Sequence, residues 1–336
     1  MCIYILGKKQ TRKIKMKLFI LFATALLVVT AHPTQQDWTS FKAKHGKSYT
    51  TLEEERVRFE IFQDNVQKIN THNARYEAGL ETYAMAVNKF ADLIPKEFGA
   101  MLRRINGPIP RTTLTSHVQS ITAPEAMDWR QTNAVLEVKD QGDDCDSSWA
   151  FSSTGALEGQ NAIKNNVIVP LSAQQLVDCD SEVNKGCDGG DILTAFEYVI
   201  KHGLNSEDEY PYEAVDGSCR AKSGSVVQVK EVVSVEATES ALRDTVGTVG
   251  PVSIALYSDP FQFYFDGVFD DTSCFNDADL LNHSVLVVAY GNENGTEYWD
   301  VKNSWGVEWG NDGYMRVVRN KGMCGIGLYS AYPILA

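Results

Sequence analysis

The stretch Gln141-Gly142-Asp143-Asp144-Cys145-Asp146-Ser147-Ser148-Trp149-Ala150-Phe151 has the shape of a nucleophile loop feeding the first turn of a helix. Its candidate nucleophile is the hydroxyl of Ser148, which follows two acidic residues, a cysteine and a third acid. Far downstream, His283 stands at the head of an apolar run and Asn303-Ser304-Trp305-Gly306 closes the next one. A lone histidine is more often a satisfied core or surface residue, so His283 gains weight only from the pattern around it. Asn282-His283-Ser284 and Asn294-Gly295-Thr296 are N-glycosylation sequons. A glycan on Asn282 would obstruct His283, whereas Asn294 lies in a loop and is the better acceptor.

The cysteines bear on the same chemistry. There are seven, and losing Cys2 with an N-terminal leader leaves six, an even number that can pair fully but whose connectivity the count does not fix. A zinc site is the competing reading. Beyond Cys145 only His202 and His283 are available to it, and a secretory chain favours disulfides. His202, just before Gly203, is better explained as the last residue of a helix. No metal and no cofactor are expected.

The elements that must position these residues are legible in the pattern. From Ser147 to about Asn165 the chain carries Ala150, Ala156, Leu157 and Ala162 without proline, which fits a buried helix. Beyond Gly250-Pro251 come the apolar or alternating runs Val252 to Tyr257, Ser284 to Tyr290, Tyr298 to Val301 and Tyr314 to Val318, expected as strands. Ahead of the loop, Leu52 to Ala78 contains neither proline nor glycine, opens after Thr51 with Glu54 three residues on, and stops at Gly79. Glu54, Arg58, Phe62, Asn65, Ile69 and Asn73 recur at spacings of three and four along one face of that helix. Trp38 and Phe41 form the aromatic face of a shorter helix before it. Gly107, Pro108 and Pro110, with the Thr and Ser residues up to Ser120, read as a cleavable linker.

Composition sets the outer bounds. The chain has 336 residues, 43% hydrophobic and 22% charged, enough for a sizeable core and for two domains or a domain plus an accessory segment. A net charge of -13 argues against nucleic acid and anionic membranes as partners. Lys15, Met16 and Lys17 precede an apolar run from Leu18 to Val29 that ends in Thr30 and Ala31, which reads as a signal peptide. That run is short of the about 20 residues that span a bilayer. The expected product is a soluble monomer, secreted or delivered to a lysosome-like compartment.

Taken together, the loop, the Cys187-Asp188-Gly189-Gly190 turn, His283 and Asn303-Ser304-Trp305-Gly306 resemble the papain-like cysteine peptidases. The helical face with Asn88, Phe90 and Asp92 resembles a cathepsin L-type propeptide, with Ala86 where a glycine is usual. Ala123 to Arg130 resembles the start of a mature cathepsin L-like chain. The resemblance implies an α+β, papain-like two-domain fold, with a helical left domain, a β-barrel-like right domain and a helical inhibitory propeptide ahead of them. The implied divisions are 1–31 signal peptide, 32–122 propeptide and 123–336 peptidase domain. It further implies disulfides Cys145–Cys187, Cys179–Cys219 and Cys274–Cys324. His283 becomes the base, Asn303 its orienting partner, Gln141 the oxyanion donor and Trp305 a shield. Gly189 and Gly190 become the edge that pairs with a peptide, and Asp191 makes a normally apolar pocket wall acidic.

The departures decide what activity to expect. Ser148 stands where the family has its nucleophilic cysteine, Asp146 replaces a glycine, and one extra acid lies between Gln141 and Cys145. A cysteine in such a site can fall from about 8.5 to about 3.5 to 7.5 and rest as thiolate. A serine must give its proton to His283 during attack, and asparagine in place of a supporting carboxylate costs about 10⁴ in a serine protease. A displaced Gln141 would cost roughly 10² to 10³ more. The leading expectation is therefore a pseudopeptidase that binds peptides, inhibitors or proteins in its cleft, besides its own propeptide. A weak serine-type hydrolase using Ser148 and His283, or silicatein-like condensation chemistry, are the alternatives.

Overall fold

The computed structural model describes residues 32–102 and 122–336. The leader and the linker Gly107 to Ser120 lie outside the described residues. The longest element, α2 (Leu52–Glu77), follows α1 (Gln35–His45) and begins where expected. Thr51 Oγ1 accepts from Glu54 N at 3.1 Å, and Glu53, Glu54 and Glu55 place negative charge at the positive end of the helix. The reciprocal half of the capping box is displaced by one residue, since the Glu54 carboxylate accepts from Thr50 N rather than from Thr51 N. Gly79 supplies the left-handed turn at φ 71°, and Leu80 N reaches back to Arg75 O.

The face of α2 read from the sequence is the face that docks. Phe62, Asn65 and Ile69 are buried, and Arg58 pairs with Glu97 at 2.7 Å. Asn65 Nδ2 donates to Ala91 O and Leu93 O, and Asn73 exchanges two bonds of 2.8 Å with the backbone of Met85. These amides satisfy backbone groups of an irregular stretch that has little secondary structure of its own. That stretch holds β1 (Tyr83–Met85) and leads into α3 (Pro95–Met101). Trp38 and Phe41 of α1 are buried against Tyr49, Phe59 and Phe62.

The remaining elements are β2 (Met127–Asp128), α4 (Ser148–Asn165), α5 (Ala173–Cys179), α6 (Ile192–His202), β3 (Val229–Ser234), α7 (Glu239–Thr248), β4 (Val252–Leu256), β5 (Tyr264–Phe269), β6 (His283–Glu293), β7 (Thr296–Lys302), β8 (Tyr314–Val318) and β9 (Tyr329–Leu335). One sheet runs β1-β5-β8-β7-β6-β4-β9-β3, with β2 added beside β6. The β5–β8 pair is parallel and the others are antiparallel. The N-terminal segment thus contributes an edge strand, β1, to the sheet of the main domain. One apolar core lies among α4, α5, α6 and one face of the sheet, and the other lies inside the sheet half and extends to Trp38.

The helix 147–165 and the four strands fall where the sequence placed them, with β6 extended to Glu293. His202 ends α6. Strands β3, β5 and β9 were not read from the sequence, because their short runs are interrupted by glycine, proline or charge. Among the described residues the disulfides are Cys145–Cys187, Cys179–Cys219 and Cys274–Cys324. The first two tie down the helical half and the third the sheet half.

Candidate active site

Ser148 is the first residue of α4 and is buried between that helix and β6. Its Oγ donates to Asp146 Oδ1 at 3.2 Å and accepts from Ser284 N at 3.3 Å. His283 opens β6, and its Nε2 donates to Asn303 Oδ1 at 2.8 Å. The other ring nitrogen, Nδ1, is buried and has no hydrogen-bond partner. Burial pushes the His283 pKa down to about 4, although the Asn303 bond works in the opposite direction. The imidazole is therefore neutral over most of the acidic range, with its proton on the side facing Asn303.

Trp305 covers this pair, with its ring centroid 4.6 Å from that of His283. Phe90 and Phe98 of the N-terminal segment pack edge-on against the indole. These rings bury the face of Trp305 that they contact.

Gln141 is held at both ends. Its side-chain amide donates to Cys145 O at 3.2 Å, and its side-chain carbonyl accepts from Ser304 Oγ at 2.7 Å. Tyr212 donates its hydroxyl proton to Gln141 O at 2.8 Å, which leaves Ser147 Oγ as donor in the 2.6 Å bond to Tyr212. Burial raises Tyr212 to about 12, so the phenol keeps the proton this arrangement needs.

The geometry gives two of the expected site residues definite partners. Asp191 caps α6 through Leu193 N and Thr194 N, and its second oxygen accepts from the buried Tyr329 hydroxyl. A carboxylate at a helix N-terminus is stabilised by unpaired N–H groups and turns inward to meet them. Asn282 is likewise no accessible glycan acceptor. It is buried, accepting from Ser258 N and Oγ and donating to Asp259. Asn294, by contrast, is exposed at the tip of the β6–β7 hairpin. Gly190 is constrained by packing, since a Cβ there would lie 2.5 Å from the Trp149 ring.

Sequence reading missed a buried ionic group behind the site. Glu158 of α4 and Lys302, next to Asn303, border a cavity of about 20 Å³ that also touches Lys139, Ser284 and Ser304. Glu158 accepts from Leu171 N at 2.9 Å, and Lys139 pairs with Glu207. Burial raises Glu158 and lowers Lys302, with each one's charge partly restoring the other's. A glutamate directly after Ala156 and Leu157, on a helix expected to be buried, was the available signal.

A buried serine at a helix N-terminus, a histidine at the head of one strand bonded to an asparagine just after the next, and a helical segment packed on Trp305 define a papain-type peptidase scaffold. The chain belongs to the papain family of cysteine proteases: the profile "Papain family cysteine protease" matches residues 123–334, and "Cathepsin propeptide inhibitor domain (I29)" matches residues 38–98. It is 44% identical over 328 residues to the cathepsin L-like proteinase of Phaedon cochleariae, covering 96% of this chain and all of that one. It is 42% identical to cathepsin L1 of Drosophila melanogaster, covering 95% and 90% of the two chains. Among solved structures, digestive procathepsin L 3 from the larval midgut of Tenebrio molitor superposes with a TM-score of 0.83 at 45% identity, over 90% of this chain and 99% of that one. The chain is thus a cathepsin L-like peptidase homologue that carries its own inhibitory propeptide domain.

Proposed function

We propose that this protein is a pseudopeptidase, secreted or held in a lysosome-like compartment, whose cleft binds peptides or proteins without cutting them. The reading takes Ser148 as standing where the relatives named as proteinases carry their nucleophilic cysteine. The observation that carries it is the hydrogen bond from Ser148 to Asp146, which occupies the hydroxyl proton that His283 would have to take. A neutral His283 with a bare Nδ1 supports the same reading, because no imidazolium is present to support an anionic nucleophile. The Asp146 carboxylate opposes negative charge where an oxyanion would form, and the Gln141 amide already donates to Cys145 O. Three disulfides favour an oxidising compartment.

The test is peptide turnover by the matured protein beside Ser148→Ala and Ser148→Cys, over acidic to neutral pH on a fluorogenic library. Wild type equal to Ser148→Ala, with turnover gained by Ser148→Cys, supports a cleft disarmed at one atom. Wild type above Ser148→Ala overturns the reading in favour of a serine-type hydrolase, which the intact His283–Asn303 bond of 2.8 Å favours.

A further inference from the structure

The β6–β7 hairpin turns at Asn294 and Gly295, both in the left-handed region at φ 51° and 88°, with Glu293 and Thr296 paired across the turn. Asn-Gly is a preferred filling of such a turn because both residues tolerate a positive φ. The turn holds the sequon Asn294-Gly295-Thr296 at the rim of a cavity of about 560 Å³. The opposite rim belongs to the N-terminal segment, through Tyr76 in the last turn of α2 and Thr82 before β1. This volume falls in the ~300–1,000 Å³ range of small-molecule sites.

The wall of the cavity is charged, but its charges are already paired. Asp270 pairs with Lys321, Glu297 with Arg319 and Glu293 with Arg316. Arg319 is also held over the Tyr290 and Trp299 rings, 5.1 and 5.6 Å from their centroids. Because each carboxylate has its own cation, an ionic ligand gains no uncompensated partner here. The carboxylates remain reachable from solvent and keep lone pairs for further donors. The Tyr76 ring is 36% exposed and offers an apolar face. Acceptors beside an aromatic face suit a neutral polyol, whose C–H face stacks while its hydroxyls donate.

We propose that Asn294 carries an N-linked glycan whose first N-acetylglucosamine seats in this cavity, so that a sugar bridges the hairpin and the end of α2. The co-reactant is a lipid-diphosphate-linked oligosaccharide of the secretory pathway. Asn294 Nδ2 forms a bond to C1 of the sugar, the bond from C1 to the diphosphate oxygen breaks, the diphosphate leaves with the electron pair, and one amide proton is released. Sugar–protein contacts are individually weak, but a covalently attached sugar meets the cavity at an effective concentration on the order of millimolar. The last turn of α2, where a helix frays, is thereby held closed. The proposal rests on the secretory compartment proposed above and not on the disarmed cleft.

The full chain is expressed in a eukaryotic secretory host, and glycopeptide mass gives the occupancy of Asn294. Amide hydrogen exchange at residues 74–82 is compared for glycosylated wild type, wild type trimmed by an endoglycosidase to a single N-acetylglucosamine, Asn294→Gln, and Thr296→Ser, which keeps the sequon. The three glycosylated forms should exchange about fivefold more slowly there than Asn294→Gln, with one urea midpoint for all, since the opening of a helix end lies far below global unfolding. In a Tyr76→Ala background the glycan should make no difference. Equal exchange in glycosylated wild type and Asn294→Gln overturns the proposal, as does protection that is lost on trimming or that survives Tyr76→Ala. A secreted chain with a bare Asn294 overturns the proposal alone, whereas a chain found only in the cytosol overturns the compartment reading with it.

Discussion

Ser148 Oγ lies 3.2 Å from Asp146 Oδ1 and makes no hydrogen bond to His283. Two residues of one loop thus satisfy each other, and the histidine on the opposite strand keeps its bond to Asn303 alone. The first prediction follows from this pairing. Ser148→Cys should gain peptide turnover, and adding Asp146→Gly should raise it roughly tenfold further by removing a carboxylate from beside the thiolate and the developing oxyanion. Steady-state kinetics on one peptide decide it, and no gain from the second change would show that Asp146 does not restrain the site.

Acid should weaken the fold through His283. Its folded pKa, about 4, lies below the ordinary histidine value, so between the two the unfolded chain binds the extra proton. Stability falls as pH drops from about 6.5 towards 4, by on the order of 3 kcal/mol from this group at full protonation of the unfolded state. Urea unfolding of wild type and His283→Gln across this range should show a shallower pH dependence in the variant.

Glu158 and Lys302 should behave as a coupled buried pair. Leu in place of Glu158, or Met in place of Lys302, leaves the other charge buried without its neighbour and should cost about 3 to 5 kcal/mol. The double variant should recover most of that loss. A double-mutant cycle by chemical denaturation measures the coupling, and additive losses would refute it.

The two sequons should part company. Expressed in a eukaryotic secretory pathway, the protein should carry a glycan on Asn294 and none on Asn282, as read by intact mass and glycosidase release. Asn294→Gln should abolish the mass shift without loss of stability. Asn282→Ala should instead cost roughly 1 to 3 kcal/mol, because the Ser258 N–H loses its buried acceptor.

Much of the architecture was legible because it is written in local terms. The α2 face follows from residues three and four apart, and α4 from a proline-free small and apolar run. The buried polar residues Asn65 and Asn73 were visible as members of that face, although not their backbone partners across the propeptide. Strand β9 was less legible, since Pro333 interrupts it and only its pairing with β3 and β4 makes it a strand.

The sequence by itself determined that a serine stands at a loop–helix junction, a histidine at the head of one strand and an asparagine just after the next, and that six cysteines are available to pair. Which atoms those side chains engage was decided only by tertiary structure. Asp191 carries a carboxylate whose partners the sequence leaves open, and the start of α6 and Tyr329 take both of its oxygens. Asn282 satisfies a sequon, yet the turn at Ser258 consumes its amide. Asp146 and Ser148 are two apart in any conformation, but they bond only because Asp146 N is held by Cys187 O beside the start of α4. Hydrogen bonds of a few ångströms depend on where distant backbone segments are brought, and residue type alone does not carry that information.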